Sequence, residues 1–325
     1  MVSREQIRRS KAVQRTTGRT FHVATRFLPG QVRYPTYVLY AFFRLTDEIV
    51  DDEDPGPPEA QRRELERVRE AALGERETDE PVLAAFADLR ERHDIPREEV
   101  DAFVDSMLMD VEDTVRYRDH DELSTYLRGS SVAVAYMMLE VMDPEQKAVA
   151  RPHAASLGEA FQLTNFLRDV REDVVDYDRV YLPAETLDGY GASHGDVTSL
   201  SFSPAVGHAV QAELRRTERL YHHGVDGIRY LPDGCQFPVL AAAVMYADQH
   251  RLIRDRGCDV VSERPTLTLP RRLSLVARAW LRWQFTDDPL DVFYAVTDLA
   301  APDDDEFAVP ANTNAAVGDA TANSD

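Results

Sequence analysis

The sequence predicts an all-α fold in a single domain. Apolar side chains recur with helical spacing over most of the first 300 residues, whereas the alternation of apolar and polar positions that marks strands is scarce. Two segments more than a hundred residues apart also carry carboxylates four residues apart within apolar helical patterns. These observations favour a helical protein with acidic groups on two helix faces.

Glycine, proline and Asp-Pro breaks divide this pattern into ten helices. Gly30 and Pro35 mark the entry to the second helix, and the segment Asp54–Pro58 ends it. Asp143-Pro144 breaks the chain before the seventh helix, and a glycine-containing loop begins after it. The predicted helices span approximately residues 3–16, 31–52, 59–73, 80–93, 97–115, 121–142, 146–176, 204–229, 236–256 and 270–284.

The composition changes after Pro302. Residues 303–306 are all acidic, and the rest of the chain is mostly Ala, Asn, Thr, Gly and Asp. Such low-complexity sequence lacks the apolar surface needed for a packed core. We therefore predict one domain over residues 1–300 and an acidic disordered tail over residues 301–325.

The charge balance limits the partners of the protein. The 325-residue chain has 58 acidic and 37 basic residues, a formal net charge of −21. This charge repels nucleic acid, so no nucleic-acid partner is expected, and it repels anionic membranes. Acidity spread through the whole chain suggests a halophile, whose salt screens self-repulsion; an ordinary acidic bacterial protein is the alternative.

Compartment signals are few. Cys235 and Cys258 are too few and too far apart for a disulfide framework or a zinc site. No signal peptide is visible, and no apolar run is long enough to cross a bilayer. We expect a cytoplasmic protein. No amphipathic basic helix points to a peripheral membrane contact.

Each acidic segment places its polar groups on one helix face. In the first, Tyr40, Arg44, Asp47 and Asp51 fall within about 60° at ~100° per residue. In the second, the polar residues fall within about 80° by the same arithmetic: Gln162, Asn165, Asp169 and Asp173. Carboxylates at this spacing repel each other, so a cation should compensate.

Two facing stripes of this kind suit divalent ions. Mg²⁺ prefers oxygen ligands, including carboxylates and substrate phosphates, and Mn²⁺ takes similar ligands. Ions held this way neutralise the charge that develops on a leaving diphosphate. The rest of the pocket must then be apolar and dry, or water would trap the carbocation. For a single acidic pair, a solvated helix face would be the simpler interpretation.

The two segments closely resemble motifs of the squalene/phytoene synthase family. Tyr40-Ala-Phe-Phe-Arg-Leu-Thr-Asp-Glu-Ile-Val-Asp-Asp52 resembles its first aspartate-rich motif. The segment from Gln162 to Asp173, with Arg179-Val-Tyr-Leu-Pro183 after it, resembles the second motif and its loop. The resemblance covers roughly residues 16–285 and is strongest to phytoene synthases; with the acidity it suggests a haloarchaeal source. It implies the isoprenoid synthase fold, a helical bundle around a central cleft.

The resemblance also implies roles for individual residues. The implied metal ligands, for Mg²⁺ or Mn²⁺, are Asp47, Asp51, Asn165, Asp169 and Asp173, and the four aspartates are catalytic through the metal. Tyr126 matches a tyrosine that assists the first ionisation. The implied substrate contacts are Thr20, Tyr40, Arg44, Gln162, Tyr246 and Arg264.

One stretch departs from the family pattern. On a middle helix the family has small residues, whereas this chain has Ser131-Val132 and Val134-Ala135. We expect Val132 and Ala135 to narrow the cleft and to affect the length of prenyl chain accepted.

The implied activity is phytoene synthesis. Two geranylgeranyl diphosphates would join head to head through a cyclopropyl diphosphate, without NADPH, in carotenoid biosynthesis. The alternatives are a squalene or dehydrosqualene synthase acting on farnesyl diphosphate, a head-to-tail synthase or terpene cyclase, and a non-catalytic acidic metal-binding protein. The expected partners are isoprenoid diphosphates, with downstream carotenoid enzymes as further candidates, and a peripheral membrane contact is compatible with such substrates.

Overall fold

The computed structural model describes residues 24–51, 56–111 and 114–300, and it confirms the all-α fold. Two two-residue strands, β1 (Val115–Arg116) and β2 (Arg179–Val180), pair in parallel. A π-helical segment (Arg128–Ala133) joins α5 to α6, and a 3-10 turn (Gly227–Tyr230) follows α10. The α-helices are α1 (Gly30–Asp51), α2 (Pro58–Ala72), α3 (Pro81–Arg92), α4 (Arg97–Met109), α5 (His120–Leu127), α6 (Val134–Met142), α7 (Lys147–Tyr177), α8 (Ala184–Gly189), α9 (His194–Thr198), α10 (Pro204–Asp226), α11 (Asp233–Asp255), α12 (Leu269–Trp283) and α13 (Pro289–Val296).

Several helices begin at residues suited to that position. Asp119 accepts a hydrogen bond from the backbone N–H of Glu122 at 2.9 Å and caps α5. Asp288 does the same for α13 through the N–H of Leu290 at 2.9 Å. Proline occupies the first turn of α2, α3, α10, α12 and α13, where its missing N–H has no helical partner to lose.

The core is divided into four apolar clusters, and α7 contributes to three of them. Its Leu157 and Ala160 pack with α10, α11 and α12, and Leu167 and Val170 pack with β2 and α10. Its Leu163 packs with α5 and β1. The remaining cluster joins α1 to α2, α3, α4 and α6. The two helices that carry the stripes therefore belong to separate clusters.

Close helix contacts explain two glycines. A Cβ at Gly129, in the π-helical segment, would lie 2.1 Å from the carbonyl oxygen of Ala102 on α4. A Cβ at Gly224 on α10 would lie 2.7 Å from the backbone nitrogen of Leu157 on α7. Both distances are far below van der Waals contact, so larger residues would force these helices apart.

The nine helices predicted between residues 31 and 284 correspond to observed ones, with differences at their ends. The predicted helix 97–115 ends at Met109, and the predicted helix 121–142 is interrupted by the π-helical segment. The three short helices α8, α9 and α13 were not predicted. The predicted helix 3–16 and the tail from residue 301 lie outside the described residues, so the domain boundary at residue 300 stays a prediction.

One expectation about the surface is wrong. Helix α12 is amphipathic and basic: it contains four arginines and no acidic residue, and it buries Leu275, Val276 and Ala279. The amphipathic pattern of α12 is hard to recognise in the sequence because apolar residues, including Leu269 and Leu273, also occupy an exposed side of the helix. Within the described ranges, no helix combines the length and the apolar character needed to span a bilayer.

Candidate active site

A cavity of about 920 Å³ lies between α1, α4, α6, α7 and α11. Carboxylates and arginines surround one end of it, and small or apolar residues such as Ala154 and Leu157 line the other. Asp173 and Ala154 both line the cavity from α7, which rises ~1.5 Å per residue, so its walls extend roughly 28 Å along this helix. The cavity has the size of a site for a large organic ligand.

Helix α1 presents the first stripe to the cavity. Tyr40, Arg44, Asp47 and Asp51 all line it, as the helical spacing predicts. Nη1 of Arg44 donates to Oδ2 of Asp47 at 3.3 Å. The opposite side of α1 is buried: Phe42 stacks on Phe86 of α3 with ring centroids 3.9 Å apart. This packing fixes which face of α1 the acidic groups occupy.

Helix α7 presents the second stripe to the same cavity. Gln162, Asn165, Asp169 and Asp173 all line it. Asn165 hydrogen-bonds Tyr246 of α11, whose ring stacks on Phe161 with centroids 4.6 Å apart. The two stripes therefore meet at one end of one cavity, which is the arrangement that the sequence predicted.

Arginines accompany the carboxylates of both stripes. Asp169 accepts hydrogen bonds from Nε of its neighbour Arg168 at 2.6 Å and from Nε of Arg264 at 2.7 Å. Arg264 also donates to Glu172 at 3.0 Å. Asp51 accepts from Nη1 of Arg179 at 2.9 Å. Charge in this part of the cavity is thus partly compensated by cationic side chains.

The compensation is incomplete for two carboxylates. Burial raises the pKa of Asp47 to about 7 against the attraction of Arg44, and the repulsion of Asp51 and Asp110 adds to the rise. Burial and the neighbouring Asp169 raise the pKa of Asp173 to about 8, although Arg179 opposes the shift. Carboxylates in this condition need further positive charge in order to ionise fully at neutral pH.

A known protein family shares the sequence features that form this site. A sequence model of the family described as squalene/phytoene synthase matches residues 14–271. The chain belongs to the squalene/phytoene synthase family. The family is one of metal-dependent prenyl transferases.

Relatives with curated names cover most of the chain. The phytoene synthase of Thermus thermophilus is 33% identical over 281 residues, 85% of this chain and 93% of that protein. The phytoene synthase of Rhodobacter capsulatus is 30% identical over 273 residues, 82% of this chain and 78% of that protein. The match to the phytoene synthase of Mycobacterium tuberculosis is 34% identical but covers only 56% of this chain and 59% of the relative.

Solved structures show the same fold. A dehydrosqualene synthase determined in complex with a ligand superposes with a TM-score of 0.78 at 21% identity, covering 87% of this chain and 98% of that one. The squalene synthase of Alicyclobacillus acidocaldarius has a TM-score of 0.68 at 22% identity, covering 78% and 95%. The isoprenoid synthase bundle around a central cleft is therefore confirmed.

The family's metal can be compared with the donor groups present here. Carboxylate and amide oxygens are the ligands that Mg²⁺ and Mn²⁺ prefer. Burial and neighbouring carboxylates raise the pKa values of Asp47 and Asp173, so a bound cation would stabilise their ionised forms. These residues fit divalent ions. In the part of the chain that the structure describes, no three Asp, Glu, His or Cys side chains converge on one point. An ion would therefore have to draw carboxylates away from their present arginine partners.

Tyr126 lies beside an aspartate that carried no assigned role in the sequence. Its hydroxyl donates to Oδ2 of Asp110 at 2.8 Å, and both residues line the cavity. Burial raises the pKa of Asp110 to about 7, against the opposing charge of Arg179. Burial and the charge of Asp110 raise the pKa of Tyr126 well above its usual value, so its hydroxyl keeps its proton.

Sequence reasoning missed the roles of Arg168 and Arg179. Both line the cavity and bind stripe carboxylates. Arg168 stands directly before Asp169 in the second motif, and Arg179 opens the loop after α7, but the sequence pattern assigns neither a role. A search for cations to balance the acidic stripes could have found them.

The expectations for Val132, Ala135 and Thr20 concern the cavity wall and one substrate contact. Ala135 lines the cavity, but Val132 does not, so the expectation that Val132 narrows the cleft is wrong. The π-helical backbone instead turns Ser130 and Ser131 toward the cavity. Thr20 lies outside the described residues, and its substrate contact stays a prediction.

Proposed function

We propose that the protein is a phytoene synthase, which joins two geranylgeranyl diphosphates head to head. The observation that carries this proposal is that two carboxylate stripes and several arginines meet at one end of a long cavity whose other walls are mostly apolar. A diphosphate suits the charged end, and prenyl tails suit the apolar end. The names of the Thermus and Rhodobacter relatives support geranylgeranyl chains over shorter ones.

The arginines would bind the diphosphates. Arg44, Arg168 and Arg264 line the charged end, and guanidinium groups match phosphate oxygens in paired hydrogen bonds. Mg²⁺ or Mn²⁺, held by Asp47, Asp51, Asn165, Asp169 and Asp173, would supply the charge that stabilises the leaving diphosphate. Tyr40, Gln162 and Tyr246 complete the polar lining near these groups.

The first half of the reaction breaks the C1–O bond of one substrate. Its diphosphate leaves with the bonding electrons, and the allylic cation is attacked at C1 by the C2–C3 double bond of the second substrate. Loss of a proton closes a cyclopropane that retains the second diphosphate. Tyr126 keeps its proton and lies in the wall at this end, so its hydroxyl, once it turns away from Asp110, can donate a hydrogen bond to a departing phosphate oxygen.

The second half begins when the remaining diphosphate leaves. The resulting cation rearranges, and loss of a further proton gives phytoene. No reductant enters this balance, so we expect no NADPH requirement. The apolar wall formed by Phe43, Phe161 and Leu157 excludes water that would trap either cation.

Squalene or dehydrosqualene synthesis from farnesyl diphosphate is the second candidate. The family whose sequence model matches residues 14–271 is described as squalene/phytoene synthase, so it covers this activity as well. The likeness to solved dehydrosqualene and squalene synthases, at 21% and 22% identity, shows the shared fold alone. The chemistry at the charged end would be the same, and only the length of the tails would differ.

The deciding experiment offers the full chain equal amounts of geranylgeranyl and farnesyl diphosphate with Mg²⁺ or Mn²⁺, with and without NADPH. We expect a 40-carbon hydrocarbon that forms without NADPH and disappears when a chelator is added. A 30-carbon product alone would overturn the proposal in favour of the second candidate. No product from either substrate would favour a non-catalytic metal-binding protein.

A further inference from the structure

The outward face of α12 is apolar, although it is exposed to solvent. Leu269, Leu273 and Trp280 are 59%, 55% and 51% exposed. At ~100° per residue they fall within about 40° of one another, so they form one stripe along the helix. Leu281 and Phe285, which are 55% and 84% exposed, extend this surface at the carboxyl end of the helix. We call these five residues the α12 stripe.

Ion pairs fix α12 in this orientation. Arg271 donates to the buried Asp248 of α11 at 2.6 Å, and Arg282 donates to Asp291 of α13 at 2.8 Å. The opposite face of the helix packs Leu275 and Ala279 into the core. Rotating the stripe inward would expose that core face and break both ion pairs, so the stripe stays on the surface.

The charge of α12 differs from that of the rest of the chain. The helix has four arginines and no acidic residue, whereas the whole chain carries a net charge of −21. Anionic surfaces are repelled by most of this protein, but the repulsion is weakest at such a helix. A second copy of the chain would bring its own net negative charge to the contact.

The α12 stripe also begins where the cavity wall ends. Residues 264–267 line the cavity and lead directly into α12, and Arg272 of its first turns lines the cavity as well. Leu269 and Leu273 flank Arg272 in the sequence but point to solvent. An apolar surface on the outside is thus continuous along the chain with the wall of the substrate cavity.

We propose that the α12 stripe docks on the surface of a lipid bilayer. Helices with a leucine- and tryptophan-rich face and arginines beside it lie in the interfacial plane of membranes, and tryptophan is enriched there. The benefit of this docking rests on the proposed function, because prenyl tails and a hydrocarbon product partition into lipid. Docking at α12 places the cavity wall next to the phase that stores both.

The test measures sedimentation of the full chain with vesicles of phosphatidylcholine and phosphatidylglycerol. Leu273→Glu and Trp280→Glu place a charge in the stripe, and Val149→Glu, at a 45% exposed position on α7, is the matched control. We expect the two stripe variants to lose at least about tenfold in bound fraction, while the control binds like the unchanged protein. Far-ultraviolet circular dichroism checks that all variants are folded.

Three outcomes would overturn the proposal. The unchanged chain fails to bind vesicles, the stripe variants bind as well as the control, or light scattering shows a dimer that the stripe substitutions dissociate while vesicle binding is absent. Turnover of substrate dispersed in detergent is measured in parallel. Because the stripe lies outside the cavity, detergent turnover should be unchanged in the variants, so this readout tests the proposed function separately from membrane docking.

Discussion

The charged end and the far end of the cavity are built on the same helix but in opposite ways. Near its carboxyl end, α7 brings Asp169 and Asp173 to a part of the cavity that other carboxylates also line. Near its amino end, it presents Ala154 and Leu157, and Gly224 of α10 approaches so closely that no side chain fits between the helices. The charged end of the cavity concentrates repulsion between carboxylates, whereas at the far end the helices that form the cavity wall pack closely against each other.

This difference separates function from stability along one helix. Burying Asp173 among like charges makes the unliganded fold less stable, and that arrangement is useful only when a cation and a diphosphate arrive. Close packing at the far end stabilises the fold and at the same time sets the space for a tail. Substitutions at the two ends should therefore have effects of opposite sign on stability.

The largest expected effect comes from Asp173→Asn. We expect turnover to fall on the order of 100-fold or more, because a charged group facing the leaving diphosphate is lost. In a chelating buffer, the free energy of unfolding at pH 9 should rise by roughly 1 to 3 kcal/mol, since the amide need not ionise. Chemical denaturation and product formation measure the two quantities.

The stability gained by Asp173→Asn depends on pH, and the direction of the pKa shift of Asp173 sets the sign of this dependence. The pKa of Asp173 is raised from 3.8 to about 8 in the fold, so the ionised form lowers stability as the pH rises through this interval, and the effect vanishes below pH 4. Asp176→Asn, on the same helix but outside the cavity, is the control and should change neither quantity. A loss of stability in Asp173→Asn at pH 9 would contradict the comparison of the two ends.

A smaller effect is expected at the far end from Ala154→Leu. The added side chain fills the space for a tail, so kcat/KM for geranylgeranyl diphosphate should fall at least about tenfold, and that for farnesyl diphosphate should fall less. Ala155→Leu, at a half-buried position that does not line the cavity, is the matched control. Equal losses for both substrates would show that the far end does not hold the tail.

The smallest effect concerns an ion pair outside the cavity. Nε2 of His120 lies 2.9 Å from Oε1 of the buried Glu213, and its other ring nitrogen contacts Glu185. Burial lowers the pKa of His120, but its bonds to these glutamates outweigh that effect and raise it. Burial raises the pKa of Glu213, but its bonds to His120 and Thr186 more than offset this, and the pKa is lowered.

The stabilisation by His120 is therefore complete below its unfolded pKa near 6.5 and is lost as the pH rises through the raised folded value. We expect His120→Asn to lower the free energy of unfolding on the order of 1 kcal/mol at pH 6 and by less at pH 9. His208→Asn, at an exposed position on α10, serves as the control. A difference that grows with pH would show that this pair does not stabilise the fold through its charge.

Much of this arrangement could be predicted from the sequence because it follows helical spacing. Residues four apart share a face, so Asp47 and Asp51, or Asp169 and Asp173, had to point the same way once their helices formed. Arg179 could not be placed, because its approach to Asp51 depends on how the chain turns after α7. The exposed side of α12 escaped notice because its apolar residues merge with those of the buried side into one continuous pattern.

The length of α7 has a further consequence for how the protein opens. This helix of 31 residues supplies side chains to three of the four apolar clusters. Regions that share a core element tend to unfold together. Amide hydrogens in the middle of α7 should therefore exchange only through global unfolding, and the second carboxylate stripe would form only when the surrounding bundle does.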